Sequence, residues 1–255
     1  MHGRGNQTGF GPQFTPPVVK NLIIANVVVF VACVFSGGPI YSPITQIGAV
    51  VPSQVWQHGY FWQPFTYMWL HASMMHIAFN MFALWMFGST LALHWGEQRF
   101  LRYYLTCGFG AGFVIATMPY IALIGGWDPG NINGLTLGAS GAVFGILLAF
   151  SFTWPERTIM LLFPPIPIKA LYLIPLILFM EMLNPDPRIS SLGHLGGVIV
   201  GWIYLLNEGK TPGAPTLQGL AHKWKRYQMR QKLRAVQTET DRDQRKWRDD
   251  NNRMH

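Results

Sequence analysis

Two short glycine-bearing motifs carry a nucleophile and a base. Ser140 sits in Gly138-Ala139-Ser140-Gly141 and His194 in Gly193-His194-Leu195-Gly196-Gly197, each at the head of an apolar stretch. A serine hydroxyl is a poor nucleophile at its own pKa, and an adjacent imidazole is the common way to activate it. The chemistry this pair could do is acyl transfer. Such a reaction also needs donors aimed at the oxygen that turns negative. His76 and Asn80, four residues apart and so on one face of a helix, could supply two, with the backbone amides of Ser140 and Gly138 as further candidates.

These residues need elements to position them, and the composition says which kind. Half of the 255 residues are hydrophobic and only 12% are charged, and mean hydropathy is positive. A soluble domain with a polar surface does not have that balance. Six apolar segments approach the roughly 20 residues that cross a bilayer: Asn21 to Phe35, His76 to His94, Phe100 to Ile124, Leu137 to Thr153, Ile168 to Leu183 and Ser191 to Asn207. The expected fold is an all-α membrane protein, a six-transmembrane-helix bundle over residues 21–207. It is preceded by a cytoplasmic segment, 1–20, and followed by a basic cytoplasmic tail, 208–255.

Basic residues near span ends are retained in the cytoplasm. The connections 37–75 and 127–136 hold no Lys or Arg, whereas Lys20, Arg99, Arg102, Arg157 and Lys169 flank the other ends and Arg188 is the one exception. Both termini are therefore expected on the cytoplasmic side. That orientation places His76, Asn80, Ser140 and His194 at one outer depth. The first apolar run, without a cleavage site, reads as a retained span, and the want of a targeting presequence favours a bacterial plasma membrane.

Glycine spacing says which spans touch. Gly141 and Gly145 on the fourth, and Gly193, Gly197 and Gly201 on the sixth, form small-residue stripes that let backbones approach. Packing these stripes together would bring the hydroxyl to the imidazole. No carboxylate has an obvious claim to join them: Glu181, Asp186 and Asp128 read as solvated boundary residues, and burying another charge is costly. The expectation is a Ser/His dyad.

Other classes fit less well. His71, His76 and His194 could be metal ligands, but that reading leaves Ser140 unexplained. No phosphate loop, CxxC pair or HExxH motif is present, so no cofactor is expected. The net charge of +8 lies mostly in the tail, where attraction to anionic membrane lipid is a simpler account than nucleic acid. Cys33 and Cys107 read as small buried hydrophobes.

Taken together, His71-Ala72-Ser73-Met74-Met75-His76-Ile77-Ala78-Phe79-Asn80, Gly138-Ala139-Ser140-Gly141 and Gly193-His194 resemble the rhomboid intramembrane serine proteases over residues 20–207. The resemblance implies a Ser140/His194 dyad, an oxyanion site of His76, Asn80 and the Ser140 backbone, and cleavage of single-span membrane protein substrates near their outer ends. It also implies that Phe144, where the family commonly has tyrosine, stacks on the catalytic histidine. Two further positions depart from the family: Trp62-Gln63 stands for a tryptophan-arginine pair in the outward loop, and Ala92 for a glutamate. These bear on loop stability and interface contacts. Inactive relatives, which bind helices without cutting them, typically lose the serine or the histidine, and this chain has both. A substrate helix is expected to enter past the fifth span, with Asn184-Pro185-Asp186-Pro187 allowing it to move. The oligomeric state is left open.

Overall fold

The computed structural model of the chain describes residues 11–128, 130–161, 165–183 and 190–209, together with 225, 226 and 229. The expectations for the hinge at 184–187 and for nearly all of the basic tail lie outside the described residues. So do those for residues 1–10.

Helices occupy each of the six apolar segments. Helix α1 runs Pro17–Phe35, four residues ahead of the expected start. Proline at the first helical position suits a terminus whose amides lack intrahelical acceptors, and the Val18 amide is capped from a distance by Glu97 Oε2 at 2.9 Å. One stripe of α1, through Leu22, Asn26, Phe30 and Cys33, is buried. Its other faces expose Val27, Val28, Val31 and Val34, the surface expected where the surroundings are as apolar as the core.

The long connection that follows is ordered by four short pieces. They are α2, Pro43–Gly48, α3, Pro52–His58, α4, Gln63–Thr66, and a 3-10 turn at Tyr67–Trp69. Gln63 staples it from within. Its Oε1 accepts from the Val51 amide at 3.0 Å, while its Nε2 donates to Gln54 Oε1 at 2.6 Å and to the Ile47 carbonyl at 3.2 Å. The side chain is fully buried. The amide, with donors and an acceptor in one group, thus holds the loop that the departure at this position brought into question, and Trp62 Nε1 adds a bond to the Ile47 carbonyl.

Helices α5, Met74–Ala83, and α6, Ser89–Trp95, form one rod joined by a π-helical turn at Leu84–Gly88. Gly96, at φ +86, turns the chain into α7, Glu97–Ile124. Then come α8, Ser140–Thr153, α9, Leu173–Leu183, and α10, Ser191–Glu208. Three rods, Pro17–Phe35, Met74–Trp95 and Glu97–Ile124, are long and apolar enough to cross a membrane, and α8 and α9 are shorter apolar helices.

The fold is mostly helical, and within it the expected start of the fifth span needs one correction. The presumed start of the fifth span, Ile168, lies in a strand: β1, Thr158–Met160, pairs antiparallel with β2, Pro167–Lys169, with Ile159 opposite Ile168. Three-residue strands interrupted by prolines carry too little period-2 signal to be seen in a run of apolar residues.

The centre of the molecule is α7, α8 and α10. A β-carbon at Gly197 would lie 1.9 Å from the Gly141 carbonyl oxygen, and one at Gly141 would lie 2.5 Å from Ala111 Cβ and 3.2 Å from the Gly193 carbonyl oxygen. The two glycine stripes therefore meet backbone to backbone. At the far end of the same helices Arg99 grips Glu208 through two bonds, Nε to Oε1 at 2.8 Å and a terminal nitrogen to Oε2 at 2.6 Å.

Candidate active site

Three helix N-termini meet at one end of this core: α5 bearing His76, α8 beginning at Ser140, and α10 bearing His194. Each brings the partial positive charge of its unsatisfied amides. Two are capped by serine hydroxyls, Ser73 accepting from the His76 amide and Ser190 from the Gly193 amide. The third differs. Its N-cap is Ala139, with helical dihedrals and no side chain able to accept, so the first amides of α8 stay open beside the Ser140 hydroxyl.

Gly138 shapes the approach to Ser140. Its φ of +130 is a glycine conformation, and a β-carbon there would lie 2.8 Å from His76 Nε2 and 3.8 Å from Ser140 Oγ. The imidazole of His76 and the hydroxyl of Ser140 thus flank one point. Gly138 itself corrects an expectation. Its amide donates to the Tyr67 carbonyl at 3.0 Å, so it is already committed and cannot serve as an oxyanion donor; what it contributes is room. The segment leading to it is held against the long loop by the Val50 and Thr136 amides and carbonyls, paired in both directions at 2.9 Å.

His76 presents a donor. Its Nδ1 accepts from the Ala72 amide at 3.4 Å, which leaves the proton on Nε2, the nitrogen that flanks Gly138. Asn80, buried one turn on, spends one amide hydrogen on the His76 carbonyl at 2.9 Å and retains the other. Next to His76, at 5.1 Å between ring centroids, stands His71, buried and with neither ring nitrogen bonded among the described residues. Burial, reinforced by the neighbouring His76, pushes the His71 imidazole down to about 3. It is neutral wherever the protein is folded near neutrality.

His194 lies flat on Phe144, with centroids 4.1 Å apart and planes 11° from parallel. Phe144 is four residues beyond Ser140, so the imidazole covers the face of α8 that begins with the hydroxyl. Ser140 Oγ and the His194 ring are not hydrogen-bonded in this resting arrangement, a separation common in sites that tighten only around a reacting group.

Glu181 was expected to be a solvated boundary residue, and the structure corrects this. Its Oε1 lies 2.6 Å from His194 Nδ1, and the two side chains are only 15% and 11% exposed. A carboxylate is retained in apolar surroundings when it has a partner, and here the partner sits on another helix, 13 residues away in sequence. Asp186, the other nearby acid considered from the sequence, lies outside the described residues. Cys33 and Cys107 are buried and unpaired. Among the described residues no group of three or more His, Cys, Asp or Glu side chains is arranged to hold a metal ion.

The fold and site define an integral membrane protein of apolar helices, with an alcohol, imidazoles and an open helix N-terminus gathered at one end. A family model described as the Rhomboid domain matches residues 58–210, and the chain belongs to the rhomboid family. It is 31% identical over 137 residues to Rhomboid protein 1, mitochondrial, of Saccharomyces cerevisiae, covering 52% of this chain and 38% of that protein. RHOMBOID-like protein 6, mitochondrial, of Arabidopsis thaliana is 29% identical over 165 residues, 65% of this chain and 49% of that one. The presenilin-associated rhomboid-like protein, mitochondrial, of Homo sapiens is 30% identical over 139 residues, 53% and 35% respectively. The chain thus spans less than half the length of each of these relatives. Their names place those proteins in mitochondria, and the expectation of a bacterial plasma membrane finds no support among them.

Proposed function

We propose that the protein is an intramembrane serine endopeptidase that cleaves transmembrane-helix substrates near their outer ends. The observation that carries the reading is the His194 ring stacked over the face of α8 that Ser140 begins. Ser140 is the nucleophile and His194 the base. The oxyanion meets Nε2–H of His76, the free amide hydrogen of Asn80 and the open Ser140 amide. In this reading all six apolar segments span the bilayer, both termini are cytoplasmic, and the exposed apolar flanks face lipid.

A substrate helix enters laterally past α9 and unwinds locally, because a regular helix hides its carbonyls in internal hydrogen bonds. Nε2 of His194 takes the proton of Ser140 as Oγ attacks the scissile carbonyl carbon and its electron pair moves onto oxygen. Collapse expels the amine, which receives the proton from His194, and water then releases the acyl group by the same steps in reverse roles.

The test uses purified protein in detergent with a single-span reporter. Wild type is expected to cleave it and to be labelled at Ser140 by a fluorophosphonate, while Ser140→Ala and His194→Ala do neither though folded. Asn80→Ala should lower turnover by on the order of a hundredfold or less, since one oxyanion donor among several is lost. The competing reading is a helix-binding family member without activity. It is favoured by the missing Ser140–His194 hydrogen bond, and it predicts reporter binding with neither cleavage nor labelling.

A further inference from the structure

Glu181 is the one charged residue in α9. Its carboxylate is drawn in against His194 Nδ1 at 2.6 Å, and its second oxygen is buried with no hydrogen-bond partner among the described residues. Among the described residues the acid's one hydrogen-bond partner is the His194 ring.

The imidazole needs something that Phe144 cannot give. Stacking fixes the plane of the ring, yet it does not distinguish one nitrogen from the other. A carboxylate accepting from Nδ1–H does, because it leaves the lone pair on Nε2, the only nitrogen then able to act as base toward an alcohol. Around His194, Phe144 of α8 stacks on the ring, Glu181 of α9 meets Nδ1 and His76 of α5 lies near enough to interact electrostatically; Asp186 and Arg188 lie outside the described residues. Of the described ones, only Glu181 carries negative charge.

Building on the proteolytic reading above, we propose that Glu181 is a positioning residue for the Ser140/His194 reaction. It holds His194 with its proton on Nδ1 and balances the charge of the imidazolium that forms when Nε2 takes the serine proton. The proton stays on His194 until it passes to the leaving amine, and the carboxylate is not itself protonated. The site is thus completed by α9, the helix past which substrate enters, so His194 is oriented when that helix is home.

The experiment compares wild type with Glu181→Gln and Glu181→Asp, with Ser140→Ala as control, as full chains in detergent. It reads kcat and KM separately on the reporter, the rate of Ser140 labelling by a small fluorophosphonate, and thermal unfolding. Glu181→Gln is expected to lower kcat and the labelling rate together by about a hundredfold or more, with KM nearly unchanged, and Glu181→Asp to recover part of the loss at the same unfolding temperature. Labelling by Glu181→Gln at the wild-type rate, a change confined to KM, or a faster reaction would overturn the proposal; the last would make the pair a latch that restrains α9. Should Glu181→Gln fail to fold, nitrogen-15 histidine spectra of the wild type decide. A neutral His194 protonated on Nδ1 upholds the assignment, and one protonated on Nε2 sinks it. Cleavage that survives Ser140→Ala refutes the serine mechanism itself, a result distinct from any of these.

Discussion

Helices α8 and α9 are both almost wholly apolar, yet they have opposite fates. Twelve of the fourteen residues of α8 are buried, against Leu173 and Ile174 alone among the eleven of α9. Phe179, Met180, Met182 and Leu183 are at least half exposed. Hydrophobicity does not separate the two, because lipid is as apolar as a protein core and supplies no drive to bury one apolar helix rather than another. Glycine does: α8 has two that admit neighbouring backbones, and α9 has none. His194 is therefore fixed from one side by close packing and from the other by a single acid on a loosely held helix.

The contrast can be broken most forcefully at Gly197. An added β-carbon would meet a backbone carbonyl, which cannot step aside as a side-chain tip could, so Gly197→Ala should cost about 3 kcal/mol and lower the unfolding temperature in detergent. A wild-type melt would show that the α8–α10 contact is not the source of rigidity. A smaller effect is expected at the boundary of the two regions. Phe144→Leu keeps the site apolar but removes the stack on His194, worth about 0.5–1.5 kcal/mol, and kcat should fall by up to roughly tenfold with stability largely kept. The smallest belongs to α9. Phe179→Ala removes an exposed ring and should change stability by no more than about 0.5 kcal/mol; a large destabilisation would mean that α9 is packed as firmly as α8.

The same contrast explains what could be read in advance. The helical segments, the meeting of the glycine stripes and the placing of the helix starts that bear His76, Ser140 and His194 at one end of the core follow from local composition and spacing, since small residues and intramembrane polar groups are rare enough to be informative. Glu181 was invisible because an acid near a helix end looks the same whether it meets water or an imidazole on another helix. The commitment of the Gly138 amide was hidden for a similar reason: its acceptor, the Tyr67 carbonyl, belongs to a distant loop, and backbone groups carry no sequence signature. Gln63 could be seen only as a substitution, because its three partners are brought together by the fold. The π turn at Leu84–Gly88 and the short hairpin before α9 leave no periodic trace in apolar sequence.

The bare start of α8 has a cost that an engineer would be tempted to remove. Capping a helix with Ser, Thr, Asp or Asn commonly adds about 0.5–2 kcal/mol, and Ala139, by declining that gain, leaves the first amides of α8 with nothing to hold. Forcing a cap there would need the backbone at residue 139 to leave its helical dihedrals, and the new acceptor would take up the amides that receive the oxyanion in the proteolytic reading proposed above. In that reading, thermostabilisation aimed at helix ends would select at Ala139 for a sturdier and slower protein.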